Sequence, residues 1–241
     1  MTSRTITIEN VGEVTIYKRH NNRSVRLSFD SKGRIVVSQP PWLPFAIGIS
    51  FAKSRIGWIK LNRPPDTNQP LTHGARVGKN HIIRLEPSPT AKKTTTKIAD
   101  NNIFITYPAA EHPRSDVVQI PAQKAAHRAL RKESEAFLPQ RLRILAQKYG
   151  YSYKSVHVKP LKTRWGSCDA HQNITLNIFL MQLPSHLIDY VILHELAHTK
   201  VMQHGKPFWD EMELYTQNAK PLRKEIAKFR PILTACASDM A

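Results

Sequence analysis

Residues 184–209, PSHLIDYVILHELAHTKVMQHGKPFW, restrict the fold of this chain more than any other stretch. Leu187, Ile188, Val191, Ile192 and Leu193 form an apolar run suited to a buried helix, and Pro184 stands where a first helical turn tolerates proline. On such a helix residues i and i+4 share a face, so His194 and His198 aim their imidazoles at one point. Two nitrogens about 2.0–2.1 Å from a common ion are what zinc takes from its first two ligands. His204 follows as a candidate third ligand, next to Gly205, which permits a tight turn. Glu195 lies about 100° round the helix from His194. That places it beside an open coordination position, in the general-base role of an H-E-x-x-H motif. The plainer alternative is a chance pair of histidines on a wet face. An apolar helix argues against it, because buried imidazoles need partners.

The chain has 241 residues, enough for one large domain or two small ones. Its charge is unusual: 36 Lys+Arg against 18 Asp+Glu, a net of +18. Such a balance favours polyanions such as nucleic acid, although no zinc-finger, RRM or KH signature accompanies it. Only two cysteines are present, Cys168 and Cys236, which cannot build a disulfide framework. A reducing, cytoplasmic setting is expected. No run of about eighteen apolar residues occurs, so no membrane contact is expected.

Along the chain, residues 2–18 and SVRLSFDSKGRIVVSQP alternate as two strand pairs, the second turning at Asp30–Gly33. Residues 45–62 suit a short helix with Ile47, Phe51, Ile56 and Ile59 inward, followed by a proline-rich loop over 63–70. HIIRLEP and NIFITYP read as strands, with AKKTTTK between them as a basic loop or a third strand. A long helix is expected over 121–149, with Leu130, Phe137, Leu138, Leu142 and Leu145 on one face. Pro139 should kink or split it and Gly150 should stop it. SVHVKP, TRWGSC and NITLN then read as short strands, the last two joined by DAHQ, and two closing helices cover 206–219 and 220–230. The tail from Pro231 is expected to fray. The architecture is therefore α+β: a β-rich N-terminal module over 1–110 and a second domain over 111–241 that carries the active-site helix and a small sheet.

At TRWGSCDAHQNITLN, HELAH and HGKPFW the chain resembles the YgjP-like metallopeptidase-domain family, zincin-like proteins related to the SprT-like and WLM groups. The resemblance is firm from about Lys124 to Phe229 and looser before it. It implies a zincin-like domain, His194, His198 and His204 as zinc ligands, Glu195 as catalytic acid/base, and a peptide or protein substrate. The same histidine spacing also occurs in metzincins, but their glycine position holds Val201 here, which resists a left-handed turn.

Two readings follow. The first is a zinc-dependent metallopeptidase, with nucleic-acid-associated proteins as a substrate class suggested by the charge and the kinship. The second is a nucleic-acid- or protein-binding module in which zinc is a structural clamp. A fourth protein ligand, such as Cys168 or His171, would favour the clamp. His157, Arg164 and Tyr190 are neighbours of the site with no role assigned. Trp165, Phe208 and Trp209 are expected to pack around it. Asn177 and its strand are expected to offer an edge for an extended peptide.

Overall fold

The alternating first 40 residues have one apolar face and must bury it. In the computed structural model, which describes residues 2–30, 33–62, 70–216 and 219–233, they do so beneath helices. The strands β1 (Ser3–Ile8), β2 (Gly12–Lys18), β3 (Arg26–Phe29) and β4 (Ile35–Gln39) form a sheet in the order β1-β2-β4-β3. Strands β2 and β4 run parallel and the other pairs antiparallel. Val14, Ile16, Ile35 and Val37 point to one face and share a core with Ala52 and Ile59. Those two residues come from α1 (Phe45–Ser54) and α2 (Ile56–Asn62), so the single helix expected over 45–62 is broken at Arg55. The inward face also differs from expectation. Gly48 and Ala52 are the buried residues of α1, and Ile47 is exposed. Small side chains let the helix approach the sheet, and the bulky isoleucine is left outside.

The chain divides into two compact units, Met1–Asn68 and Gln69–Ala241. In the second unit β5 (Arg76–Val77), β6 (His81–Ser88), β7 (Thr95–Ala99) and β8 (Asn102–Pro108) form a sheet in the order β5-β6-β8-β7. AKKTTTK thus contributes a strand. Ile83, Ile103 and Ile105 of this sheet belong to the same core as the long helix α3 (Asp116–Tyr149). The sheet groups with the C-terminal region rather than with the first 68 residues, and the unit boundary precedes the expected position at 110.

Helix α3 runs unbroken through Pro121 and Pro139. A proline costs a helix one backbone hydrogen bond, and here Leu138, Leu142, Leu145 and Ala146 are buried on the same stretch. Ala122, Ala125, Ala126 and Ala129 complete its inner face, whereas Phe137, expected inside, is exposed. Gly150 ends the helix in the left-handed conformation, φ 68°, its N–H closing on Ala146 O.

A third sheet holds β9 (Ser155–Lys159), β10 (Gly166–Cys168) and β11 (Asn173–Asn177) in the order β10-β11-β9. NITLN is its central strand, so Asn177 is not on the edge expected there; the edge strands are β10 and β9. Asn177 is fully buried and holds the preceding loop, its Nδ2 donating to Leu161 O at 2.7 Å and Arg164 O at 2.6 Å. A 3₁₀ turn, Ile178–Gln182, leads into α4 (Ser185–Ala197). The chain then closes with α5 (Lys206–Thr216) and α6 (Ala219–Ile226). Residues 63–69 of the proline-rich loop expected over 63–70, the centre of the Asp30–Gly33 turn and residues 234–241 of the tail expected from Pro231 lie outside the described residues. No helix among the described residues is long and apolar enough to cross a membrane.

Candidate metal centre

Leu187, Ile188, Val191, Ile192, Leu193 and Leu196 bury α4 on nearly every side. Arg141 of α3 fastens it with a bidentate pair to Asp189, Nε to Oδ1 at 2.7 Å and Nη2 to Oδ2 at 2.6 Å. A helix held this firmly fixes the direction of any side chain near its end. His194 stands in its last turn and His198 at its C-cap. The chain then turns through residues 199–205 and brings His204 back to them. His198 Nε2 and His204 Nε2 are 3.2 Å apart, and His204 Nε2 and His194 Nε2 are 3.0 Å apart.

Phe208 explains why the rings converge. It is fully buried, and its ring centroid lies 4.8, 4.5 and 4.7 Å from those of His194, His198 and His204. The returning turn has its own anchors. Lys200 Nζ donates to Glu211 Oε1 at 2.7 Å and lies over the Tyr151 ring at 4.4 Å, and Tyr151 also donates to Glu211. Val201 accepts from His198 Nδ1 at 3.1 Å and is not among the described residues with positive φ. The return differs from the glycine turn of metzincins.

The donor set fits a cation. His198 gives its Nδ1 proton to a carbonyl, which leaves an Nε2 lone pair facing the other rings. A tetrahedral ion with bonds of about 2.0–2.1 Å separates its ligand nitrogens by about 3.3–3.4 Å, close to the two spacings seen. Burial first, then the charges of His198, His204 and Arg223, pushes His194 down to about 3, so it stays neutral and able to ligate. His198 is lowered as well, again mainly by burial. Among the described residues the group of converging donors contains these three histidines alone. Neither Cys168 nor His171 supplies a fourth ligand.

Glu195 is buried beside this group and lines the same cleft, a cavity of about 480 Å³ that also includes Trp165, Tyr190 and Trp209. Burial pushes its carboxyl up to about 8, opposed by the charge of Arg164. A consequence for stability can be measured in chelator. A carboxyl that ionises near 4.5 when unfolded and near 8 when folded contributes stability below 4.5 that is lost as pH rises to 8. His194 acts oppositely, losing stability as pH falls from 6.5 towards 3. Above pH 6.5 only the carboxyl effect remains, with a ceiling of about 2 kcal/mol by pH 8 at 1.36 kcal/mol per unit. Urea unfolding of the metal-free protein should therefore weaken between pH 6.5 and 8, and Glu195→Gln should remove most of that loss. An equal loss in both proteins would contradict the assignment.

The glycine of the R-W-G-S-C motif now has a reason. A Cβ at Gly166 would meet Glu195 Oε1 at 2.7 Å and Cγ at 2.8 Å. The motif was visible in the sequence, but this contact was not, because it joins positions far apart in the chain. Gly166→Ala should displace the carboxylate while sparing the histidines. We expect full metal content with hydrolysis reduced about a hundredfold, the usual cost of an ångström-scale misplacement. Wild-type turnover in this variant would show that the close approach is incidental.

Of the neighbours left unassigned, Tyr190 lines the cleft. Arg164 influences Glu195 electrostatically. His157 lies on β9, 3.4 Å from Ser155 Oγ. Trp165 and Trp209 pack, partly buried, against the core and also line the cleft. Burial, with Glu195 and Asp169 nearby, raises the Cys168 thiol to about 11. Sequence reasoning missed Arg223, another cleft residue, which no motif marks.

The chain is similar over 37% of its length to the crystal structure of the metallopeptidase zymogen of Pyrococcus abyssi abylysin, at 27% identity, 91% coverage of that chain and a TM-score of 0.34. The metallopeptidase zymogen of Methanocaldococcus jannaschii jannalysin gives 22% identity, 37% and 92% coverage, and 0.34. No curated protein matches the chain. The family model for the YgjP-like metallopeptidase domain matches residues 23–229, a span that runs from the first sheet through the histidine turn, and the chain belongs to that family.

Proposed function

We propose that this metallopeptidase is zinc-dependent, with His194, His198 and His204 holding the ion and Glu195 serving as general base and acid. The observation that carries this reading is the convergence of three imidazoles, with no fourth protein donor in the group among the described residues. That openness favours a reacting centre over a structural clamp. An all-imidazole set suits zinc and does not suit magnesium or calcium, which take oxygen. When bound, the cation supplies Lewis acidity towards a peptide carbonyl and towards water. Glu195 accepts a proton from the water attacking the carbonyl carbon and delivers it to the leaving amine nitrogen as the C–N bond breaks. The aromatic cleft walls exclude bulk water and hold the peptide. The net charge of +18 supports nucleic-acid-associated proteins as a substrate class.

The test is metal analysis of the purified protein together with cleavage of casein and short peptides. Chelator should abolish cleavage and zinc should restore it, and duplex DNA should accelerate cleavage of DNA-bound substrates. Cleavage that persists after complete metal removal would defeat the proposal.

A further inference from the structure

The cleft has a second polar end. Arg223 of α6 lines it, with its guanidinium carbon 4.8 Å from the centroid of the Trp209 ring. Trp209 in turn lies 6.4 Å from His194 and 6.1 Å from His204, centroid to centroid. Arg223 is thus one aromatic ring beyond the histidines. Stacking holds the guanidinium plane while leaving its N–H edge available. Among the described residues it makes no hydrogen bond and no ion pair. Its charge nonetheless reaches both Tyr190 and His194. Trp165, Tyr190, Val191 and Ile226 give the rest of the cleft a largely apolar lining.

We propose that Arg223 is a specificity-determining residue that binds a carboxylate of the substrate, one or two residues from the bond being cut. An extended chain advances about 3.3–3.6 Å per residue, so a carboxylate at that remove spans the Trp209 ring. The planar fork of Arg matches a carboxylate through two parallel hydrogen bonds. A peptide can supply this group from an Asp or Glu side chain or from its own C-terminus. The inference rests on the peptidase reading and names the substrate feature that the site selects.

The test uses zinc-loaded protein carrying Glu195→Gln and measures peptide binding by calorimetry. One peptide pair differs only in Glu or Gln beside the central bond, and a second only in a free or amidated C-terminus. The acid member of one pair should bind about ten- to a hundredfold more tightly, as expected for a charged hydrogen-bonded pair. The pair showing the preference identifies the source of the carboxylate. Adding Arg223→Gln should bring that ratio close to one, and Arg223→Lys should leave an intermediate value. Lys224→Gln, which removes the same charge from α6 outside the cleft, should preserve the ratio. Equal binding within both pairs, or a ratio that survives Arg223→Gln, would overturn the proposal. Carboxylate-dependent binding without any cleavage by the zinc-loaded wild-type protein would leave Arg223 in its role and remove the peptidase reading instead.

Discussion

Glu195→Gln is expected to retain one zinc per chain and lose hydrolysis by a factor of about 10²–10⁴, the usual contribution of a positioned acid/base. The carboxylate stands outside the group of converging donors, so its loss leaves the ligand set intact. Glutamine keeps the volume that fits beneath Gly166 and removes the basic oxygen. The expected signature is a fall in kcat with unchanged metal stoichiometry and an unchanged fold. If the variant hydrolysed peptides at the wild-type rate, the proton would be moving by another route.

Replacing a histidine should do more. His194→Ala removes one of three donors and opens space against Phe208. Metal affinity should fall by more than the roughly 10–100-fold that outer-shell changes cost, and activity should go with it. Dialysis against a graded zinc buffer followed by metal analysis gives the affinity, and the same samples give turnover. Cys168→Ser and His171→Ala are the controls, since neither residue belongs to the converging group. Both should keep full metal content. A loss of zinc from either one would revive the closed structural site and count against hydrolysis.

The histidine triad could be anticipated from the chain because its logic is local. His194 and His198 share a helix face by spacing alone, and His204 is only six residues further on. The strands of the first 40 residues were equally visible through their alternation. What escaped depends on packing between distant positions. Gly166 carries no sign of the Glu195 side chain it accommodates. Nothing around Arg223 marks it as a cleft residue. The alanine face of α3 is weakly apolar and hides its burial, whereas Phe137 looks like core and is exposed. NITLN reads equally well as an edge or a central strand, because alternation reports burial of a face and not the number of neighbours. The unit boundary was hidden because residues 71–108 have the same β-rich composition as the module before them. Only their shared core with α3 assigns them to the second unit.

Phe208 has one more implication. A benzyl side chain packed against all three imidazoles gives them one common support. A smaller side chain at this position would loosen the three ligand candidates together rather than one alone.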